Sequence, residues 1–258
     1  MPLITLLTDF GDADHYVASV KASIMSALPM SRIVDISHRI QQFNLPHAAF
    51  VLRSVFREFP PGTIHLVSVN GQTGGEDLFI IAKIEGHLFV AMDNGLLSLI
   101  SDQDPEMVVR LEHGESSSGT FPARTLMVPA VIDLCQGKKP EEIGKPVDGV
   151  RKMLNRNPRL TRNQIMGQVI HVDHYGNLIT NIDWATFEKI GRNRKFILSF
   201  SREKLHDLSL TYSDQEPGDC LAVFNSNGEL EIAINSGSAA ELLGLQYNSP
   251  VMVDFIGE

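Results

Sequence analysis

The chain opens with two alternating hydrophobic periods. Leu3-Ile4-Thr5-Leu6-Leu7 is a continuous apolar, β-prone run, and Ile33–Ile36 and Ile64–Val69 repeat it. Between the first two, Tyr16, Val17, Val20, Ile24 and Leu28 recur at helical spacing over 14–28. Asn44 is placed to cap a helix that begins near Pro46 and carries Phe50, Leu52, Val55 and Phe56 before Pro60-Pro61-Gly62 ends it. Strands are predicted at 78–84 and 87–92 around Glu85-Gly86, and a helix at 124–136. Repeated strand–helix units imply an α/β domain over residues 1–150, with a mostly parallel sheet faced by helices.

The pattern then changes. Residues 151–163 belong to a stretch rich in Lys, Arg, Asn and Pro and read as a linker. From 164 to 258 strand-like runs dominate, at 165–172, 177–182, 195–200, 208–212, 220–224, 230–235 and 250–255. Only 184–190 and 238–244 look helical, so a smaller β-barrel or sandwich domain is expected there.

The first strand runs directly into Thr8-Asp9-Phe10-Gly11. Asp9 is thereby placed at a carboxyl strand end, the edge of an open α/β sheet where ligands bind. A fixed carboxylate there can accept two hydrogen bonds from a vicinal diol such as a ribose. It can equally cap the following helix, and position alone does not separate the two.

Composition narrows the function classes. Of the 258 residues, 43% are hydrophobic and 21% charged, an ordinary globular balance. The net charge of -9 argues against nucleic acid, whose phosphates require a basic face. No apolar run reaches membrane-spanning length and no signal-peptide pattern starts the chain, so a cytoplasmic protein is expected. Cys135 and Cys220 sit in apolar neighbourhoods and read as buried free thiols. The nine histidines show no metal-ligand spacing, so no metal is expected.

Two polar segments lie among the later strands. Asp173-His174-Tyr175-Gly176-Asn177 offers a carboxylate, an aromatic face and an amide, which suits an adenine as well as a hairpin turn. Asn225-Ser226-Asn227-Gly228 is a strong turn signal, although Ser226 and Asn235 could also donate to a ligand. Met92-Asp93-Asn94-Gly95 reads as a turn into the Leu96–Ile100 segment, with a second polar rim element as the alternative.

Taken in order, several segments resemble the S-adenosylmethionine (SAM) hydroxide adenosyltransferase family, which also contains fluorinating and chlorinating enzymes. They are Thr8–Gly11, Ile33–His38, Pro61–His65, Asp93–Leu97, Asp173–Asn177 with Thr180-Asn181, and Ser226–Ala233. The resemblance spans nearly the whole chain. It implies an α/β domain followed by a β-barrel-like domain, and a homotrimer with SAM bound between subunits. The implied activity is displacement of methionine from the ribose 5′ carbon by water or halide, with SAM as substrate and no cofactor. By the same resemblance, Asp9 would hold the ribose hydroxyls, while Phe43 and Phe121 would be apolar walls. Thr73, Asp173, Tyr175, Asn177, Tyr212, Ser226 and Asn235 would complete the ligand-binding set.

The chain departs from the family where water is activated. Hydrolytic members carry an Asp in a Val-Asp-Pro-Gly-Val-Gly stretch, an Arg after it, and a His in a Phe-His-Gly-Arg-Asp stretch. Ungapped matching puts Asn70, Asp77 and Pro122 at those three positions, while Arg124 of the second stretch stays. Asn70 and Asp77 thus stand at the catalytic positions as substitutions. Losing general-base help costs about 10²–10⁴-fold, which slows hydrolysis without abolishing an in-line displacement from a sulfonium. Ala123 supplies no hydroxyl for a halide. An adenosine-forming SAM hydrolase is therefore the leading expectation. A SAM or adenosine sensor without turnover is the alternative, and a calcium-dependent nucleoside hydrolase, suggested by the acidic run Asp9–Asp14, is the remote one.

Overall fold

The N-terminal apolar run forms β1 (Leu3–Thr8), buried from its second residue onward. Its side chains serve two cores. Ile4 and Leu6 face one side of the sheet and Leu7 faces the other, which is why the run is apolar throughout rather than alternating. The coordinates are a computed structural model, and they describe residues 3–70, 79–112, 120–154, 157–192 and 194–257. The chain divides into two units, Met1–Leu154 and Asn155–Glu258.

The first unit is built on a seven-stranded sheet. Its strands after β1 are β2 (Arg32–Ser37), β3 (Ile64–Ser68), β4 (Phe79–Ile84), β5 (His87–Met92), β6 (Met107–Leu111) and β7 (Gly144–Pro146). They lie in the order β2-β1-β3-β5-β4-β6-β7. The pairs β2–β1, β1–β3 and β3–β5 are parallel, whereas β5–β4, β4–β6 and β6–β7 are antiparallel. The sheet is thus mixed, with its parallel half at the N-terminal end.

Helices cover both faces of this sheet. α1 (Tyr16–Ala27) packs Val20 and Ile24 against Ile4, Leu6 and Leu66, and α3 (Val128–Cys135) joins the same core through Val131 and Leu134. α2 (Leu45–Arg53) packs Ala48, Ala49 and Leu52 against Leu7 and Val67 on the opposite face. As its sequence foretells, Asn44 caps α2, its Oδ1 accepting from the His47 amide at 3.0 Å, with Pro46 in the first turn. A wide turn, Ala123–Met127, runs straight into α3. Pro129 lacks the N–H that an uninterrupted α-helix would donate to Thr125, which accounts for the wider winding. The short α4 (Pro140–Ile143) leads into β7.

The second unit is an antiparallel, barrel-like sheet. Its strands are β8 (Arg159–Leu160), β9 (Gln164–Val172), β10 (Leu178–Asp183), β11 (Lys195–Phe200), β12 (Glu203–Leu205), β13 (Cys220–Phe224), β14 (Glu229–Ile234) and β15 (Pro250–Ile256). The order is β12-β11-β15-β9-β10-β14-β13, with β8 also on β9. β9 pairs with β15 through its first half and with β10 through its second. At the break, Asn181 Oδ1 accepts from the Gln168 amide at 2.8 Å and fills the gap in the ladder. Gly167 lies at this bend, where a Cβ would stand 2.6 Å from Ile182 Cγ1. The helices are α5 (Trp184–Gly191) and α6 (Ala239–Leu243).

One expected strand is not formed. Within 208–212, Leu210 is exposed and the amides of Leu210 and Thr211 donate to Asp214 Oδ2 at 2.7 and 3.0 Å. The Asp214 carboxylate thus draws this backbone into a short turn at Tyr212–Asp214 instead of a ladder. Both cysteines are free and half-buried rather than fully buried. Burial raises the Cys135 thiol and pushes that of Cys220 up to about 11.

Candidate functional site

The order β2-β1-β3 means that the chain leaves β1 in one direction to β2 and returns across it to β3. That is a topological switch point, and its carboxyl edge is the crevice where open α/β sheets bind ligands. Asp9 follows β1 there and Asn70 follows β3.

Asp9 does not cap a helix. α1 starts at Tyr16, and no side chain caps it. Instead the Asp9 Oδ2 atom accepts two main-chain hydrogen bonds, from the Phe43 amide at 3.1 Å and the Asn70 amide at 3.0 Å. One carboxylate oxygen therefore ties the end of β1 to the loop before α2 and to the end of β3. The other oxygen, Oδ1, has no partner among the described residues.

Both donors are held in left-handed backbone, Phe43 with φ 63° and Asn70 with φ 55°. Asparagine tolerates that conformation, whereas a bulky aromatic rarely adopts it. The strain at Phe43 costs on the order of 1–3 kcal/mol, and the residue is about half exposed. Asn94 adds a brace, its Nδ2 donating to the Val69 carbonyl at 3.0 Å and its Oδ1 accepting from the Leu96 amide at 3.2 Å.

Phe121 belongs to a cluster of three rings. Its centroid lies 5.5 Å from that of Phe10 and 5.2 Å from that of Tyr16, in edge-to-face contact with each. Pro122 begins the helical segment after it, a position where the missing N–H costs nothing. Ala123 is buried and Arg124 is exposed. Thr73 and Asp77 lie outside the described residues.

In the second unit the Asp173–Asn177 loop is tied to itself. Asp173 Oδ1 accepts from the amides of Tyr175 and Asn177 at 2.9 and 2.8 Å, and Oδ2 accepts from Asn177 Nδ2 at 3.1 Å. Three of about four acceptor positions are thereby filled, and Tyr175 projects into solvent. Gly176, with φ 85°, lies against Ser238, and its carbonyl accepts from the Ala240 amide at 2.9 Å.

Nearby, the Tyr212 hydroxyl donates to the buried Glu231 Oε1 at 2.6 Å. Burial and that carboxylate raise the Tyr212 hydroxyl well above its usual range, and Asp173 contributes. Asn235 donates through Nδ2 to the Gln215 carbonyl at 2.7 Å. Ser226 stands apart from Asn235, in the 225–228 turn at the opposite end of β14, where Gly228 also accepts from the Trp184 amide.

Sequence reasoning gave no role to His38 or Glu231. A signal was present for each: His38 follows a strand of the parallel half, and Glu231 is a second acid, after Glu229, within the apolar run of β14.

The SAM hydroxide adenosyltransferase N-terminal domain model matches residues 4–144, and the C-terminal domain model of the same family matches residues 167–252. The chain belongs to the SAM hydroxide adenosyltransferase family. It is 30% identical to a protein of Methanocaldococcus jannaschii named (R)-S-adenosyl-L-methionine hydrolase, over 96% of this chain and 94% of that one. A fluorinase of Nocardia brasiliensis is 25% identical over 98% and 96%. A crystal structure of an uncharacterized conserved protein from Thermotoga maritima superposes with a TM-score of 0.90 at 29% identity, covering 98% of this chain and all of that one.

Within the family frame the calcium reading is not favoured. Among the described residues no cluster of His, Cys, Asp or Glu is arranged to hold a metal, and the Asp12 carboxylate is taken by the Arg39 guanidinium. Among the described residues, no helix is long and apolar enough to cross a membrane.

Proposed function

We propose that this protein hydrolyses SAM to adenosine and methionine, with Asp9 as the ligand of the ribose. One observation carries the reading. The Asp9 carboxylate is fixed through a single oxygen by two main-chain amides, at the switch point of the sheet. A vicinal diol needs acceptors held in one orientation, and the remaining lone pairs of Asp9 offer them. The relatives named SAM hydrolase, at 28–30% identity over nearly the whole chain, support the same substrate.

In the proposed step a water oxygen bonds to the ribose 5′ carbon while the carbon–sulfur bond breaks. The sulfonium sulfur keeps the electron pair and leaves as the thioether of methionine, and the water proton passes to solvent. Methionine is a good leaving group, so the protein's contribution is positioning and exclusion of bulk water. Asp9 anchors the ribose, and Phe43 and Phe121 supply apolar surface beside it. Asn70 offers an amide rather than a base, and Pro122 offers no titratable group, so turnover is slow relative to a member that keeps a base there. Ala123 lacks a hydroxyl for a halide, which favours water as nucleophile. Asp173 with Asn177, Tyr175, Tyr212, Ser226 and Asn235 is carried over as the rest of the ligand-binding set. A homotrimer and a cytoplasmic location complete the proposal, the former checked by sedimentation.

The test is turnover in ¹⁸O-labelled water. The reading expects one labelled oxygen in the 5′ hydroxyl of adenosine and no 5′-halogenated nucleoside in chloride or fluoride. Saturable adenosine binding with no turnover would replace hydrolase by sensor.

A further inference from the structure

The end of β1 is held by a second device, on the side away from β3. Thr8, almost fully buried, has its Oγ1 2.8 Å from His38 Nδ1. The Phe10 amide donates to the same Oγ1 at 3.4 Å, and the Gly11 amide donates to the His38 carbonyl at 2.8 Å. The four-residue turn that presents Asp9 is therefore attached to His38 at both ends.

The other nitrogen of His38 faces an anion. Nε2 lies 3.1 Å from Asp35 Oδ1, off the line of a good hydrogen bond, and Asp35 Oδ2 accepts from Lys21 Nζ at 2.5 Å. Burial opposes ionisation of Asp35, but the Lys21 and His38 contacts outweigh it and hold the carboxyl below its usual value. A carboxylate facing Nε2 favours the tautomer with its proton there. Nδ1 is then an acceptor for the Thr8 hydroxyl, and Thr8 Oγ1 is free to accept from Phe10. Donation thus runs from Phe10 to Thr8 to His38, while Asp35 faces His38 Nε2 and accepts from Lys21 on its other side.

We infer that His38 is a positioning residue for the ribose carboxylate. Through Nδ1 and Thr8 it fixes the turn from which Asp9 reaches Phe43 and Asn70. The inference rests on the reading of Asp9 as ribose ligand. It predicts an effect on nucleoside binding rather than on the displacement step.

The experiment compares His38→Ala, His38→Asn and His38→Gln for KM and kcat with SAM and for adenosine affinity by calorimetry. Loss of one ordering hydrogen bond should raise KM and weaken adenosine about tenfold, with kcat within about threefold. Asparagine places an acceptor at the Nδ1 position and should restore most of the binding. Glutamine reaches only the Nε2 position and should not. Should His38→Ala fail to fold, Thr8→Val is expected to give the same KM shift and Thr8→Ser to abolish it. Unchanged KM in His38→Ala, or rescue by glutamine as good as by asparagine, overturns the inference. Wild type that binds neither SAM nor adenosine defeats instead the reading of Asp9. Wild type that binds, with binding lost in Asp9→Ala but kept in His38→Ala, defeats only the role of His38.

Discussion

Acid should unfold this protein through a histidine far from the candidate site. His65 lies in β3 with no exposed surface. Its Nδ1 is 2.6 Å from Thr5 Oγ1 and its Nε2 is 3.2 Å from His87 Nδ1. The ring is stacked on Phe89 at 4.7 Å and edge-on to Phe56. Burial, with the neighbouring His87 adding to it, pushes His65 down to about 3, and burial lowers His87 as well.

Between pH 6.5 and pH 3 the unfolded chain therefore takes up a proton at His65 that the folded chain refuses. Stability is fully present above about 6.5 and is lost as pH falls, at about 1.4 kcal/mol per unit for one proton. From pH 6.5 to 4.5 that amounts to about 2.3 kcal/mol for His65, a large share of the roughly 5–15 kcal/mol of a typical fold. The assay is urea unfolding at several pH values for wild type and His65→Asn, which keeps an acceptor for Thr5 but does not titrate. The variant should be less stable at pH 7 and its stability should fall less steeply with acid, by about one proton. Parallel pH dependences in the two proteins would refute the argument, because the carboxylates common to both cancel in the comparison.

Three further outcomes are expected. Phe43→Gly relieves left-handed strain and should raise stability by about 1 kcal/mol, while weakening adenosine binding measured by calorimetry. Gly176→Ala drives a Cβ to 2.1 Å from Ser238 Oγ at a φ of 85°, and thermal unfolding should show destabilisation of about 2 kcal/mol or more. Tyr212→Phe removes the hydroxyl from the buried Glu231 carboxylate. It should cost about 1 kcal/mol in urea unfolding, the lower end expected for a pair that is partly exposed.

The parallel half of the first unit was legible because its physics is local. Strands buried on both faces read as unbroken apolar runs, and Asn44, Pro46 and Gly62 punctuate the helices between them. β6, β7 and β8 were not legible, since Met107–Leu111 sits among charged residues and the other two are very short and gain order only from their neighbours. The 208–212 strand failed because Asp214 competes for the same backbone amides. Asp9 stood out in the sequence, but its partners come from residues 34 and 61 positions away, and no periodicity encodes such contacts. The same holds for His38 and Thr8, which β1–β2 pairing brings together. Asn70 changed meaning between the two descriptions. By the family resemblance its position reads as that of a lost base, whereas in the fold it is a residue suited to left-handed backbone whose amide holds Asp9.

The central claim is that Asp9 holds the ribose of a SAM molecule that this protein cleaves. Its most direct test is chromatography of adenosine released from SAM by wild type and by Asp9→Ala, matched in concentration and shown to be folded. The account predicts adenosine and methionine in equal amounts from wild type, with the rate at least about tenfold lower in the variant, as expected when a charged hydrogen-bond acceptor is lost. No adenosine above the spontaneous background from wild type, or an undiminished rate from Asp9→Ala, would contradict it.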